Sequence, residues 1–307
     1  MLKFNNKVLK ILDKWLNPNG APVPPEPPVD PYNPLRLPPY TVRVRTNDGN
    51  VPNKGSWTEY ETATLVPGTT DVYDVYKRGT NFSWLLCDSA NVIEVLGANT
   101  SNVTDMQNMF RNCTALQSVP LFDTSKVWNM ISMFGYCEHL TTVPLFDTSN
   151  VTTMSGMFMG CTQLTTVPLF NTSKVTAMND MFRVCTSLTN VPLFDTSKVT
   201  AMADMFNSCS TLQSVPLFDT SNVTTMSGMF FRCTSLTSIP LFNTSKVTDM
   251  NNTFGQTLNV EGGALALYQQ ASSQTNPPSS HSQTFYDCGK NTTTGAAELA
   301  QIPSNWK

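Results

Sequence analysis

Eight cysteines and a ladder of six acidic or amide residues are the groups in this 307-residue chain whose spacing could support chemistry. Cys113, Cys137, Cys161, Cys185, Cys209 and Cys233 follow one another at a step of 24 residues without insertion or deletion, while Cys87 and Cys288 fall outside that step. Zinc needs four ligands converging on a point, and a ladder spreads them along a line. A disulfide needs Cα atoms about 4.4–6.8 Å apart, and these thiols fall on the helical side of each unit, where neighbouring units are expected to splay. The reading is a column of buried, unpaired thiols packing as small hydrophobes, with Cys87 and Cys288 in opposite caps.

The second ladder is Asp123, Asp147, Asn171, Asp195, Asp219 and Asn243. Calcium wants six to eight oxygens and several carboxylates. Two of these six are Asn and no second carboxylate accompanies each one, so turn capping is expected instead. The 15 methionines recur at three-residue spacing, as core filler does. Only His139 and His281 supply imidazoles, and neither is accompanied by a nucleophile motif, a phosphate loop or metal-ligand spacing. The chain reads as a non-enzyme with no cofactor and no metal.

Those ladders imply the elements that carry them. Each unit resembles CTQLTTVPLFNTSKVTAMND, residues 161–180. Leu164, Val167, Leu169 and Phe170 suggest one brief strand, ended by Pro168, which cannot donate a ladder bond. Asn171, Thr172 and Ser173 make a turn. Val175, Met178, Met181, Phe182 and Cys185 then recur at steps of three and four, suited to one face of a helix or 3₁₀ turn. A unit this small cannot bury both faces alone, so it must stack on copies of itself. The fold class expected is an α+β repeat solenoid of short strand plus helical turn. A longer period is present too, since 147–176 nearly repeats at 219–248.

Positions that break the consensus cluster in the two residues before each cysteine, and Trp128 replaces a consensus Thr. Tyr136, Arg183, Phe231 and Arg232, with Trp128, are the candidate ligand-binding residues, because exposed aromatics and Arg dominate interface energetics. Neutral variation at solvent positions is the other reading. The pairs from Gln117 and Ser118 to Thr237 and Ser238 form a small hydroxyl and amide face suited to glycans or simply to water.

The pattern VPLFDTSNVTTMSGMFxxCTxL, at 143–164 and 215–236, resembles the BspA-type leucine-rich repeats of bacterial and viral surface proteins. The resemblance covers about 97–257 and implies surface adhesion or recognition. Around it, residues 1–17 read as a docking segment carrying Phe4, Val8, Ile11 and Trp15 at helical spacing, with Val8 to Ile11 equally suited to a short hairpin and a frayed terminus the other reading; 18–39 read as a Pro-rich linker, 40–96 as a small β unit capping the array, and 258–307 as a mixed C-terminal cap. In that cap 264–271 and 296–302 look helical. The segments LPPYTVRVRTNDG, EVLGANTSNVTDM and GAAELAQIPSNWK make the whole chain similar to virion proteins of gut tailed phages, including crAss-like ones.

A formal charge of -3 and 13% charged residues argue against a phosphate-backbone partner, since no cluster of Lys and Arg is present. No apolar run reaches the roughly 18–20 residues of a membrane span, and no secretory leader is recognised. The expectation is a virion fibre or decoration protein. Its partners are other virion proteins through the N-terminal segment and a host-surface protein or glycan through the array, with self-association left open. The alternative is a bacterial cell-surface adhesin.

Overall fold

The computed structural model describes residues 37–53, 58–59 and 61–307. The docking segment with Phe4, Val8, Ile11 and Trp15, and most of the linker, lie outside the described residues. The first elements are β1 (Thr41–Thr46), β2 (Glu61–Leu65), β3 (Val72–Lys77) and β4 (Val92–Ala98), in an antiparallel sheet of order β2-β3-β1-β4. Period-two alternation in TVRVRT decides which face is buried. Val42 and Val44 lie opposite Val75 and Tyr73, all four buried, while Arg43 turns outward to Asp74 at 2.6 Å.

β4 also belongs to the repeat. It occupies the register of the VPLF segment one unit later, and Leu96 stands where every later unit has proline. With its N–H groups intact this segment pairs with β1 on one side, and Glu94 bridges Ser118 in parallel on the other. The later copies are interrupted at Pro120, Pro144, Pro168, Pro192, Pro216 and Pro240, and none forms a strand. The expected strand per unit is therefore corrected to an extended segment held by isolated bonds, such as Thr165 N–H to Thr141 O at 3.3 Å.

The expected helical turn is corrected as well. Residues 99–258 contain no helix of either kind. Instead Asn81, Asp105, Asn129, Thr153, Ala177, Ala201, Thr225, Asp249 and Ser280 are joined in parallel, each to the next, in a column of bridges. Following this column, backbone donors alternate in direction. Ser132 and Phe134 donate to the next unit at Ser155 and Met157, both at 2.9 Å, while Met133, Gly135 and Cys137 donate three residues back within their own unit. An α-helix would send every N–H four residues back. Two left-handed residues per unit prevent it, for example Ser132 (φ 49) and Tyr136 (φ 60), or Asp180 (φ 56) and Val184 (φ 61). The three-and-four spacing of apolar residues was thus a true signal of one buried face, met by a chain of turns. The tight, hydrogen-bonded side of the array is the Met-Phe-Cys side, where splaying was expected.

Between the two sides runs the core. Phe110, Phe134, Phe158, Phe182, Phe206, Phe230 and Phe254 stack with ring centroids 5.2–5.8 Å apart, within the range favoured by offset aromatic pairs. A second column from Phe122 to Phe242 interleaves with it, as in Phe134–Phe146 at 6.1 Å. Buried threonines tie the units on that flank, Thr124 Oγ1 donating to Asp147 O and Thr148 Oγ1 to Asn171 O at 2.8 and 2.9 Å.

Both ends keep the register further than the sequence suggested. In the first unit the column residues Trp84 and Asp88 lie 24 residues before Asn108 and Asn112, so Ser89, fully buried, takes the cysteine position and Cys87 does not. After Leu258 one more pass follows. It is delayed by an insertion containing α1 (Ala264–Ser272), and then Phe285 stacks on Phe254 at 5.9 Å with Cys288 in the cysteine column. α1 covers the last VPLF segment, and Gln270 Nε2 donates to the Phe242 carbonyl at 3.0 Å. α2 (Thr293–Gln301) begins at Thr292, whose hydroxyl accepts from Gly295 N–H, and a 3₁₀ turn (Ser304–Trp306) brings buried Trp306 against Phe285.

Candidate interaction surface

The sequence-derived candidates are accessible but do not converge. Trp128 is 48% exposed in the column of Thr104 and Thr152. Tyr136 lies beneath the Arg111 guanidinium, 5.6 Å from the ring centroid, and directs its hydroxyl to Met159 Sδ at 3.8 Å. Arg183, two units on, pairs with Asp180 at 3.2 Å. Further along, the Arg232 guanidinium sits over the Phe231 ring at 5.0 Å and its Nε donates to Gln256. Tyr136, Arg183, Phe231 and Arg232 hold the two positions before the cysteine of their units, where Tyr136, Arg183 and Arg232 engage neighbouring side chains, while Trp128 lies in a separate column.

Nor are they free of the packing rule. A Cβ added at Gly160 would stand 2.6 Å from the Tyr136 ring, one at Gly255 3.0 Å from Phe231, and one at Gly135 3.7 Å from Arg111. In each case a large residue lies over a glycine placed one unit later. That signal was present in the sequence as a large residue followed by Gly at the same register.

A second exposed column was missed. Leu121 is 40% exposed, and Leu145, Leu169, Leu193, Leu217 and Leu241 are 56–61% exposed, whereas the adjacent phenylalanines are buried. The sequence places Leu169 with Phe170 in one short apolar segment without separating their faces. Neighbouring residues of an extended segment point to opposite sides, and Phe, the larger, takes the interior. The leucines recur as an exposed row, one per unit. Beside it run shallow grooves, one lined by Leu121, Leu145, Leu169, Phe146, Asp147 and Asn171, another by Leu217, Leu241, Phe218, Asp219 and Asn243.

The groove's polar wall is the Asp/Asn ladder. Each side chain caps its own turn, with Ser149 N–H donating to Asp147 Oδ1 at 3.0 Å and Ser245 N–H to Asn243 Oδ1 at 3.0 Å. The Ser hydroxyl, then the Ser N–H, hold the Asp147, Asp195 and Asp219 carboxyls below the usual carboxylate range, so this wall is anionic at neutral pH.

All eight cysteines are buried, and Cys113, Cys137, Cys161, Cys185, Cys209, Cys233 and Cys288 are free thiols. Each thiol from Cys137 to Cys233 donates to a phenylalanine carbonyl of the preceding unit, as Cys161 Sγ does to Phe134 O at 3.1 Å, so they do more than fill space. Desolvation raises their pKa values, to about 12 for Cys209 and Cys288. Thiols so protonated are poor nucleophiles. Among the described residues no group of three or more His, Cys, Asp or Glu could hold a metal ion, and no helix is long and apolar enough to cross a membrane. His139 is exposed, with Nδ1 2.7 Å from Thr114 O.

Fold and surface together define a repeat protein whose 24-residue units are joined by a column of backbone bridges and by threonine hydrogen bonds, and packed on stacked phenylalanines. The chain belongs to the family described as "Mycoplasma protein of unknown function, DUF285", which matches residues 80–187 and 164–266, more than half of the chain. This supports the resemblance to BspA-type repeats. Among solved structures, a leucine-rich repeat protein from Eubacterium ventriosum ATCC 27560 is similar at 23% identity with a TM-score of 0.31, over 56% of this chain and 41% of its own. This chain therefore spans about two fifths of that protein's length. A search of curated proteins found no match.

Proposed function

We propose that the protein is a non-enzymatic recognition scaffold, a BspA-type solenoid that adheres to a host surface through the face carrying the leucine row. One observation carries this reading: six leucines repeat without exception at a position where they are mostly exposed. Stacking explains the repetition of Phe122 or Cys161, which are buried. It does not explain a leucine held in water, and contiguous exposed apolar surface marks interaction sites. The carrier we propose is a tailed-phage particle, on the whole-chain resemblance described above.

The triple variant L145E/L193E/L217E tests the adhesive face. It should keep its far-UV spectrum and melting temperature but lose binding of the labelled protein to intact gut bacteria. Binding equal to wild type would remove the leucine face from the proposal. Mass spectrometry of purified particles tests the carrier, and deletion of residues 1–20 should abolish incorporation. Recovery in bacterial envelopes instead would select the cell-surface reading.

A further inference from the structure

The spacing and charge of the leucine row specify what can lie along it. Successive units step by 5.2–5.8 Å in the main phenylalanine column. In the column next to the leucines, the separations are 4.9 Å for Phe122–Phe146 and 6.5 Å for Phe194–Phe218. An α-helix laid along the array advances about 5.4 Å per turn, so one apolar side chain per turn stays in step with one leucine per unit. A β-strand repeats a face only every ~6.6–6.8 Å. Over the five steps from Leu121 to Leu241, at the spacing of the main column, a strand would drift by roughly 4–8 Å, whereas a helix stays within about 2 Å.

The groove wall adds sign. Asp123, Asp147, Asp195 and Asp219 flank the row, with Asn171 and Asn243 at the third and sixth positions. Of the nearby lysines, Lys126, Lys174 and Lys246 reach back one unit to Asn102, Asn150 and Asn222, while Lys198 acts on Asp195.

Building on the adhesive reading above, we propose that the occupant of this face is a basic amphipathic helix of a partner protein, about 18 residues long. It lies parallel to the stack, one leucine-sized side chain per turn against Leu121 to Leu241 and Lys or Arg toward the Asp wall. Helix-in-groove recognition of this kind is read through i, i+3, i+4 and i+7 anchors. The charge pattern is specific, with cations favoured beside the first, second, fourth and fifth leucines and not required beside the third and sixth.

The test uses the full chain and two synthetic 18-residue helical peptides with Leu at one-turn spacing, one flanked by Lys and one by Glu, measured by fluorescence anisotropy. The Lys peptide should bind at least tenfold more tightly than the Glu peptide, and more weakly as salt rises. L145E/L193E should lose at least tenfold, and D147K/D219K should reverse the preference between peptides. Equal binding of the two peptides, binding untouched by L145E/L193E, or equal binding of a proline-broken Lys peptide would each overturn the helix. So would self-association in sedimentation that L193E abolishes, because the face would then be filled by a second copy. If neither peptide binds while bacterial adhesion still depends on the leucines, the helix fails alone and the adhesive face stands.

Discussion

Phe146 and Leu145 are chain neighbours, and both types recur in every unit from Leu121–Phe122 to Leu241–Phe242. Phe146 is 2% exposed, packs tilted against Phe122 and stacks on Phe134, while Leu145 is 58% exposed beside a groove. Equal regularity in the sequence therefore has two physical origins. Inside, each ring is fixed by the ring above and the ring below, so a change in one unit is felt in its neighbours. Outside, no neighbour within the array demands a leucine, and its recurrence points to contact with something else.

The sharpest break between the two columns comes from truncation. Phe158→Ala should cost about 3–5 kcal/mol, since it opens a cavity between Phe134, Phe170 and Phe182. Leu145→Ala should stay within about 0.5 kcal/mol, as an exposed substitution does. Urea unfolding of both variants decides it, and a comparable loss for Leu145→Ala would make that leucine part of the core.

Gly160 probes the pre-cysteine positions, between these extremes. It has φ 74 and lies against the Tyr136 ring. Gly160→Ala should cost about 1–2 kcal/mol through left-handed strain plus displacement of the ring. In a double-mutant cycle, Tyr136→Ala should recover the steric part and leave the strain. Strict additivity would mean that the ring and the glycine are not coupled.

The period, the buried Met, Phe and Cys columns, the turn-capping Asp and Asn, and the helices near 264–271 and 296–302 were legible, because each follows from repetition or local propensity. Three features were not. The Met-Phe-Cys side reads as helical because its buried face recurs at three and four residues, and spacing alone cannot reveal that Ser132 or Val184 adopts φ > 0. The last pass, 280–288, was hidden by the insertion of α1, which breaks the period while the fold keeps it. The leucine row was hidden by a binary reading, since VPLF looks uniformly apolar and only alternation along an extended chain separates Leu169 from Phe170.

The cysteine column should show itself at high pH. Desolvation raises the folded thiols above their unfolded pKa, so the unfolded chain releases protons first. Stability is full below about pH 8.5 and falls as pH rises through the range that ends at the folded values, about 12 for Cys209 and Cys288. Each buried thiol contributes up to about 1.4 kcal/mol per pH unit to that fall. Cys161→Ala should lower the slope by one proton's worth, and a slope unchanged from wild type would mean that Cys161 is not protected by burial.

The smallest effect is expected at the groove wall, and it separates structural from recognition roles within a single residue. Asp147 caps its turn through one oxygen, Oδ1, to Ser149 N–H, and Asn171 does the same job for Ser173 at 3.2 Å. Asp147→Asn keeps the acceptor and removes only the charge, so thermal unfolding should change by less than about 0.5 kcal/mol. Binding of the Lys-flanked peptide should nevertheless weaken, and its salt dependence should flatten, because one carboxylate facing the partner is gone. A large loss of stability would place the charge itself in the fold. Unchanged peptide binding would leave the Asp wall as turn chemistry alone, with the array's own alternation of Asp and Asn carrying no message for a partner.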